Sequence, residues 1–267
     1  MVDVRWIWVF LDTVETEAGP SWEFWRQVTR SQLSPTRGER GEFATFLPDR
    51  GDPWVKVQAV QSGGGVHLDL DVDDPRAAAE EAKALGASEL GILDDDTGTE
   101  GVVILASPAG QVFCFTRTAS SSDSSAVAQH REGEPDLVDQ VCLDLPEDGF
   151  AVDAVFWHEL TGWDLGLGRH HEFTTLTRPN GIPVRLVLQR LDEATGTARA
   201  HVDLACRDRA ATAAEHGRLG AEVVGEGAVW TVLRDPVGRT YCLTDRDPST
   251  GRLPAAHPGT HHLESTS

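Results

Sequence analysis

The chain has 267 residues, 40% of them apolar and 7% aromatic, with 23 Lys and Arg set against 43 Asp and Glu. A formal charge of −20 repels phosphate, which excludes nucleic acid and anionic membrane as partners. This length carries one large domain or two small ones, and either can bury a core without disulfides or structural metal.

Four cysteines, Cys114, Cys142, Cys206 and Cys242, are too few for a disulfide scaffold and show no zinc-knuckle spacing, so they read as reduced thiols of a cytoplasmic protein. The apolar run Trp6 to Leu11 is too short for a signal-peptide core and lacks a basic leader. No stretch approaches the roughly 18 apolar residues of a membrane span.

The first strand is predicted at the run around Trp6. Alternation puts Ile7, Val9 and Leu11 toward the core and Trp6, Trp8, Phe10 and Asp12 on the opposite face. Phe24 and Trp25 follow on a helix facing the sheet. Next come the strand EFATF and a run in which Trp54, Lys56 and Gln58 alternate with Val55 and Val57. Gly63-Gly64-Gly65 reads as a hairpin turn. In VHLDL, from Val66, His67 and Asp69 share the face of the aromatic residues. Asp74 as N-cap and Pro75 at the first helical position open a helix that Gly86 stops. DDDTGTE, from Asp94, reads as a solvated hairpin insertion, and SPAGQVFCF, from Ser107, as the closing turn and strand.

From Ala119 to Asp136 a Ser-rich polar stretch reads as a linker. Beyond it VDQVCLDL alternates as a strand, with Gln140, Cys142 and Asp144 on the face opposite Val141, Leu143 and Leu145. Asp153 to Leu160 reads as a helix carrying Phe156 and Trp157. EFTTLT, PVRLVLQR and ARAHVDLAC follow as strands, the last with His201 and Asp203 on one face. Asp208 caps an Ala-rich helix that Gly220 ends, and AVWTVLRD and TYCLTD close the series. The tail 248–267, rich in Pro, Gly and His, is predicted to be disordered.

The two halves are copies. Val66–Leu70 recurs as Ala200–Leu204, and Gly86 as Gly220, both 134 residues later. Cys114 recurs as Cys242 after 128, Phe24-Trp25 as Phe156-Trp157 after 132, and Gly51-x-Pro53 as Gly181-x-Pro183 after 130. The shift from 134 to 128 is the DDDTGT insertion. The predicted organisation is module one at 1–118, a linker at 119–136, module two at 137–247 and the tail.

FWHELTGWDL from Phe156, the HVDL strand with its helix to LGA, and DPVGRTYCL from Asp235 resemble the vicinal oxygen chelate superfamily of glyoxalases, bleomycin-resistance proteins and extradiol dioxygenases. FWRQVTR, VHLDL and SPAGQVFCF resemble it in the same places of module one. The resemblance implies an α+β fold of two tandem modules. Each would be a pair of βαβββ units forming a curved, mainly antiparallel sheet around a cup.

In metal-dependent relatives the resemblance places ligands on the first, fourth, fifth and eighth strands. The fifth-strand His is kept as His67 and His201. The first-strand position is Trp8 in module one and Gln140 in module two, and the eighth-strand Glu is replaced by Cys114 and Cys242. This departure argues for no metal cofactor. If a divalent metal binds at all, it is in module two, at Gln140, His201 and Cys242.

The expected function is metal-independent binding of a small apolar or aromatic metabolite or antibiotic. The cup of module one would stack a planar ligand on Trp6, Trp8, Phe10 and Trp54 with Lys56 nearby, unless these residues fill the cup or pack between modules. In module two, Gln140 and Cys142 line the corresponding face. The enzymatic alternative is a lyase, isomerase or dioxygenase with a degenerate site, in which His67 with Asp69, or His201 with Asp203, acts as base and orienter. The tandem arrangement predicts a monomer with an intramolecular pseudo-dimer, or a homodimer.

Overall fold

The computed structural model describes residues 1–94, 100–117 and 136–254. The predicted linker up to 135, most of the DDDTGT insertion and the tail beyond 254 lie outside the described residues.

Module one begins with β1 (Trp6–Val14), a single 3-10 turn at Glu15–Glu17, α1 (Ala18–Val28), β2 (Gln32–Leu33), β3 (Phe43–Leu47) and β4 (Val55–Val60). It repeats the pattern with β5 (Gly65–Asp71), α2 (Pro75–Ala84), β6 (Ser88–Asp94), β7 (Glu100–Ala106) and β8 (Val112–Thr116). The strands form one eight-stranded sheet in the order β2-β3-β4-β1-β5-β8-β7-β6. Module two matches it: β9 (Asp136–Leu145), α3 (Glu147–Thr161), β10 (Asp164–Leu167), β11 (Phe173–Thr177), β12 (Arg185–Arg190), then β13 (Arg199–Cys206), α4 (Arg209–Arg218), β14 (Glu222–Glu226), β15 (Trp230–Arg234) and β16 (Thr240–Thr244). Its sheet order, β10-β11-β12-β9-β13-β16-β15-β14, is the same. In both sheets only the pairs joining the first strand to the fourth and the fifth to the eighth are parallel. This is the expected α+β fold of two tandem modules, each built from two βαβββ units.

Local chemistry accounts for the element ends. The Asp74 carboxylate accepts the Ala77 N–H at 3.0 Å, and Asp208 accepts that of Ala211 at the same distance. Gly86 (φ 106°) and Gly220 (φ 102°) end these helices in the left-handed region, which favours glycine. The α3 helix starts at Glu147, one and a half turns before the predicted Asp153. The three glycines before Val66 are not a hairpin: β4 and β5 do not pair, because β1 lies between them, and the glycines carry the crossover.

Alternation sorts the faces as expected. Ile7, Val9 and Leu11 are fully buried beneath the helices, as are Trp25 and Trp157. The two modules share one core, because α1 and α3 each pack on the other module. Trp25 and Phe24 meet Tyr241, while Trp157 and Phe156 meet Phe113. Burying several aromatic side chains of this size, at about 25 cal/mol per Å² of apolar surface, makes this junction as hydrophobic as a domain interior. Among the described residues, no helix is long and apolar enough to cross a membrane.

Candidate functional site

The face left uncovered by the helices of module two encloses a cavity of about 780 Å³. Its floor is set by strand register. Cys142 on β9 lies opposite His201 on β13, Gln140 lies opposite Asp203, and Asp203 lies opposite Cys242 on β16. Paired residues share a face, so two thiols, an imidazole, an amide and a carboxylate meet at one spot.

His201 is clamped there. Its Nδ1 is 2.8 Å from Asp144 Oδ2, and its Nε2 is 3.3 Å from Asp203 Oδ1 and 3.5 Å from Cys242 Sγ. Burial opposes a charge on this imidazole, but Cys142 beside it, with Asp144 and Asp203, outweighs that and raises its pKa well above the ordinary value. The Gln140 amide N–H donates to Asp203 Oδ2 at 2.5 Å. Arg246, buried against Asp139 by two bonds of 2.9 and 2.6 Å, brings Nη1 to 3.9 Å from the same oxygen. Burial pushes the thiols of Cys142 and Cys242 up, so both are protonated.

The walls are more apolar. Val187, Val232 and Leu253 line the cavity with Phe173 and Trp230, whose rings meet edge to face with centroids 6.0 Å apart. Leu253 belongs to the stretch predicted as disordered tail. Residues 248–254 are instead ordered, by a turn on Asp247 and by the bond from Arg169 to the Pro254 carbonyl. Asp12, Thr13, Val14 and the Gly63–Gly65 crossover of module one complete the rim.

Module one repeats the floor but does not present it to this cavity. His67 Nδ1 is 2.6 Å from Asp12 Oδ2 and Nε2 is 3.5 Å from Asp69 Oδ1, with Cys114 close by. Here the space above is taken by the chain itself. Phe10 stacks flat on His67, with centroids 4.6 Å apart and planes 11° apart, and Lys56 Nζ sits 3.8 Å over the Trp8 ring. Trp6 meets Trp8 edge to face.

Of the two arrangements open for the aromatic residues of module one, the structure places them in the one where they fill the cup or pack between modules. Trp6, Trp8, Phe10 and Lys56 lie on the expected face, but they fill the cup of module one with contacts to one another. Trp54 leaves the cup altogether: it is buried at the module junction and donates its indole N–H to the Val138 carbonyl at 3.0 Å. The open aromatic wall is Phe173 and Trp230 of module two. Gln140 and Cys142 do line the cavity as expected.

A model of the glyoxalase-like domain matches this sequence twice, over residues 8–116 and 140–244. The chain belongs to the glyoxalase-like family. Its fold is that of vicinal oxygen chelate proteins. A Mn(II)-bound glyoxalase from Novosphingobium aromaticivorans is 17% identical, with a TM-score of 0.61 over 96% of this chain and 89% of that one. The 2,2',3-trihydroxybiphenyl 1,2-dioxygenase of Sphingomonas wittichii strain RW1 is 14% identical, with a TM-score of 0.60 over 94% of each chain. A 2,3-dioxygenase from Pseudomonas sp. KL28 is 13% identical, with a TM-score of 0.59 over 96% of each. No curated protein matches the sequence.

Glyoxalase-like folds raise the question of a metal. The predicted ligand set Gln140, His201 and Cys242 is rearranged here, because the Gln140 amide is turned to Asp203. The donor atoms of His201, Asp203 and Cys242 lie within 4.8 Å of one another, and the buried Asp203 Oδ1 faces His201 Nε2 at 3.3 Å. One imidazole nitrogen, one carboxylate oxygen and one sulfur, with Asp144 orienting the imidazole, fit a borderline-soft divalent ion. Such an ion would supply a Lewis acid at the cavity floor.

The base-and-orienter reading of His and Asp two residues apart also changes. The residue that grips Nδ1 is Asp144 (Asp12 in module one), on the neighbouring strand. Alternation had placed it on the right face. Its pairing with the histidine is a diagonal cross-strand contact, which only the register reveals.

Proposed function

We propose that this glyoxalase-like chain binds a small, partly aromatic organic molecule in the cavity of module two, without a metal. The supporting observation is the pairing of a wall made by Phe173 and Trp230 with a charge-balanced floor. There the carboxylates of Asp144 and Asp203 meet His201 and Arg246. An apolar wall with a few fixed polar groups is the usual form of a small-molecule site. His201 Nε2, held beside Asp203 and Cys242 at the cavity floor, would hydrogen-bond a ligand oxygen.

Trp230 supplies the assay. Catechol, 2,2',3-trihydroxybiphenyl and a wider panel of aromatic metabolites and antibiotics are titrated against tryptophan fluorescence. Saturable quenching that Trp230→Phe abolishes is the expected result. If no compound of the panel produces quenching that depends on Trp230, the proposal fails.

A second reading is favoured by the convergence of His201, Asp203 and Cys242, whose donor atoms lie within 4.8 Å of one another: a vicinal oxygen chelate enzyme with a divalent ion at these three residues. Protein purified without chelator would then carry stoichiometric metal, lost in His201→Ala. Cobalt(II) would give a thiolate charge-transfer band that Cys242→Ser removes. Either result overturns the metal-independent reading.

A further inference from the structure

Of the 23 lysines and arginines in this chain, only Lys56 and Lys83 are lysines. The two sit in opposite surroundings. Lys83 lies on α2 with its Nζ 2.6 Å from Glu80 and 3.2 Å from Glu89, and these carboxylates raise its pKa. Lys56 lies on β4, beside Phe10 of β1 and Thr45 of β3, on the cup face of module one. Its Nζ is 3.8 Å from the centroid of the Trp8 ring and 5.1 Å from that of Phe10. Among the described residues it makes no hydrogen bond or ion pair. Lys56, Trp6 and Trp8 are half-buried and form the outer edge of this packing, whereas Phe10 is buried.

The charged groups around Lys56 give it no counter-ion. Asp69 is 3.5 Å from His67 Nε2, and Asp71 is bound by Arg5 at 2.7 Å. Arg37, bonded to Thr45 Oγ1 at 2.8 Å, brings a second positive charge nearby. Burial lowers the Lys56 pKa below the ordinary value; Asp69 and Asp71 oppose this from a distance, and Arg37 adds to it. The aromatic faces are a weak replacement for the water that an ammonium group loses. The same cup leaves the indole N–H groups of Trp6 and Trp8 buried without acceptors, which packing alone gives no reason for.

We propose that Lys56 is a carbonyl-reactive amine, and that the outer edge of the module-one cup is a second site, which takes aromatic aldehydes as imines. In this step the neutral Nζ attacks the carbonyl carbon, forming a C–N bond as the carbonyl electron pair moves to oxygen. One nitrogen proton passes to that oxygen. The resulting carbinolamine loses its hydroxyl with the second nitrogen proton as water, leaving a C=N bond, and no oxidant or reductant is needed. Lysine is nucleophilic in this way when an apolar setting disfavours its ammonium form, and arginine, always charged, is not. Trp6 and Trp8 offer their outer ring surfaces to the aryl group. The bond to Lys56, not an empty pocket, holds the molecule there, so benzene, which has no carbonyl, is not retained.

The test incubates the full chain with benzaldehyde and sodium cyanoborohydride near neutral pH and locates the benzylated amines by peptide mass mapping. Cyanoborohydride supplies the hydride that turns an imine into a stable secondary amine, and Lys83 is the internal reference. Lys56 is expected to be labelled about tenfold faster than Lys83 at low aldehyde concentration, the effect of a pKa about one unit lower. Labelling of Lys56 should saturate with benzaldehyde, while that of Lys83 stays linear. Acetaldehyde, which lacks the ring, should show a smaller preference for Lys56. In guanidinium chloride the two lysines should react alike, a control that needs no variant. Lys56→Arg keeps the charge over Trp8 and should remove the fast site without changing Lys83.

Labelling of Lys56 no faster than Lys83 in the folded chain overturns the proposal and leaves Lys56 a packing cation. A ratio that persists in guanidinium chloride overturns it as well, because the reactivity would then not come from the cup. A fast Lys56 that neither saturates nor distinguishes benzaldehyde from acetaldehyde overturns the aromatic site. The cup of module one is separate from the cavity of module two, so none of these outcomes bears on the reading of that cavity.

Discussion

The indole N–H of Trp25, on the first helix of module one, donates to the carboxylate of Asp235 in module two at 2.9 Å, and both groups are buried. The opposite junction satisfies the same groups with the chemistry exchanged. There the carboxylate is on the helix: Asp153 accepts from Ser107 at 2.8 Å, from the Ala109 N–H at 2.8 Å and from Trp157 at 3.2 Å. The position equivalent to Asp153 is Ser21, and the position equivalent to Asp235 is Ser107. One duplicated contact thus holds its single carboxylate on the turn in one place and on the helix in the other. Each copy keeps one buried acid and not two, which avoids a repulsive pair in a dry interface.

Trp25→Phe should therefore destabilise the whole chain. It leaves the buried Asp235 carboxylate short of a donor while removing little apolar area. The expected cost is about 2 kcal/mol, read as a lower urea midpoint with an unchanged m value. A loss below about 0.5 kcal/mol would mean that the Arg239 guanidinium, 3.4 Å from the same oxygen, and the backbone N–H groups of Val237 and Arg239 satisfy Asp235 without Trp25.

The filled cup of module one makes a second expectation. Phe10 is 5% exposed, stacked on His67 and within 5.1 Å of Lys56 Nζ. Phe10→Ala removes a ring from a packed site and should cost about 3–5 kcal/mol by chemical denaturation. It should also open a second small-molecule site, so that benzene-sized probes raise the thermal midpoint of the variant but not of the parent. A variant as stable as the parent would show that Phe10 is not a plug.

The duplication, the helix caps at Asp74 and Asp208, and the two faces of β1 follow from spacing and alternation, and all were legible before any coordinates. Which cup is open was not. Alternation places Trp8, Phe10 and Lys56 on a face but is silent on whether long side chains fold over it, and in module one they do. Trp54 shares the parity of Lys56, yet the docking of module two draws it into the junction, a long-range event without a local signal. Asp144 was assigned to the site face, but its partnership with His201 depends on strand register. Phe173 and Trp230 sat in predicted strands that do not pair with each other. Only closure of the sheet brings their rings together.

His216 sets the acid limit of stability. It is buried between Phe24 and Tyr241, with Nδ1 2.9 Å from the Tyr241 hydroxyl. Burial, with Arg30 adding repulsion, lowers its pKa to about 4. In the unfolded chain the same ring titrates near about 6.5, so the unfolded state binds the extra proton between these values. Stability should fall as pH drops from about 6.5 to about 4, by up to about 3 kcal/mol from this residue. Denaturation midpoints of the parent and of His216→Gln, measured across that range, should converge toward low pH. Parallel curves would rule out His216 as the titrating group.

His67 acts in the opposite direction and at the other end of the pH scale. Burial pulls its pKa down, but Asp12, helped by Asp69, outweighs that and raises it to about 10. The folded state therefore holds a proton that the unfolded state gives up near about 6.5. This contribution is fully present below about 6.5 and is lost as pH rises through about 10, an amplitude of up to about 5 kcal/mol. His67→Asn keeps a polar side chain but cannot titrate. It should be much less stable than the parent at pH near 6 and close to it at pH near 10, each compared by urea midpoint. A gap between parent and variant that stays constant over that interval would show that His67 is neutral in the fold, and that Asp12 holds it through an ordinary hydrogen bond without an ion pair.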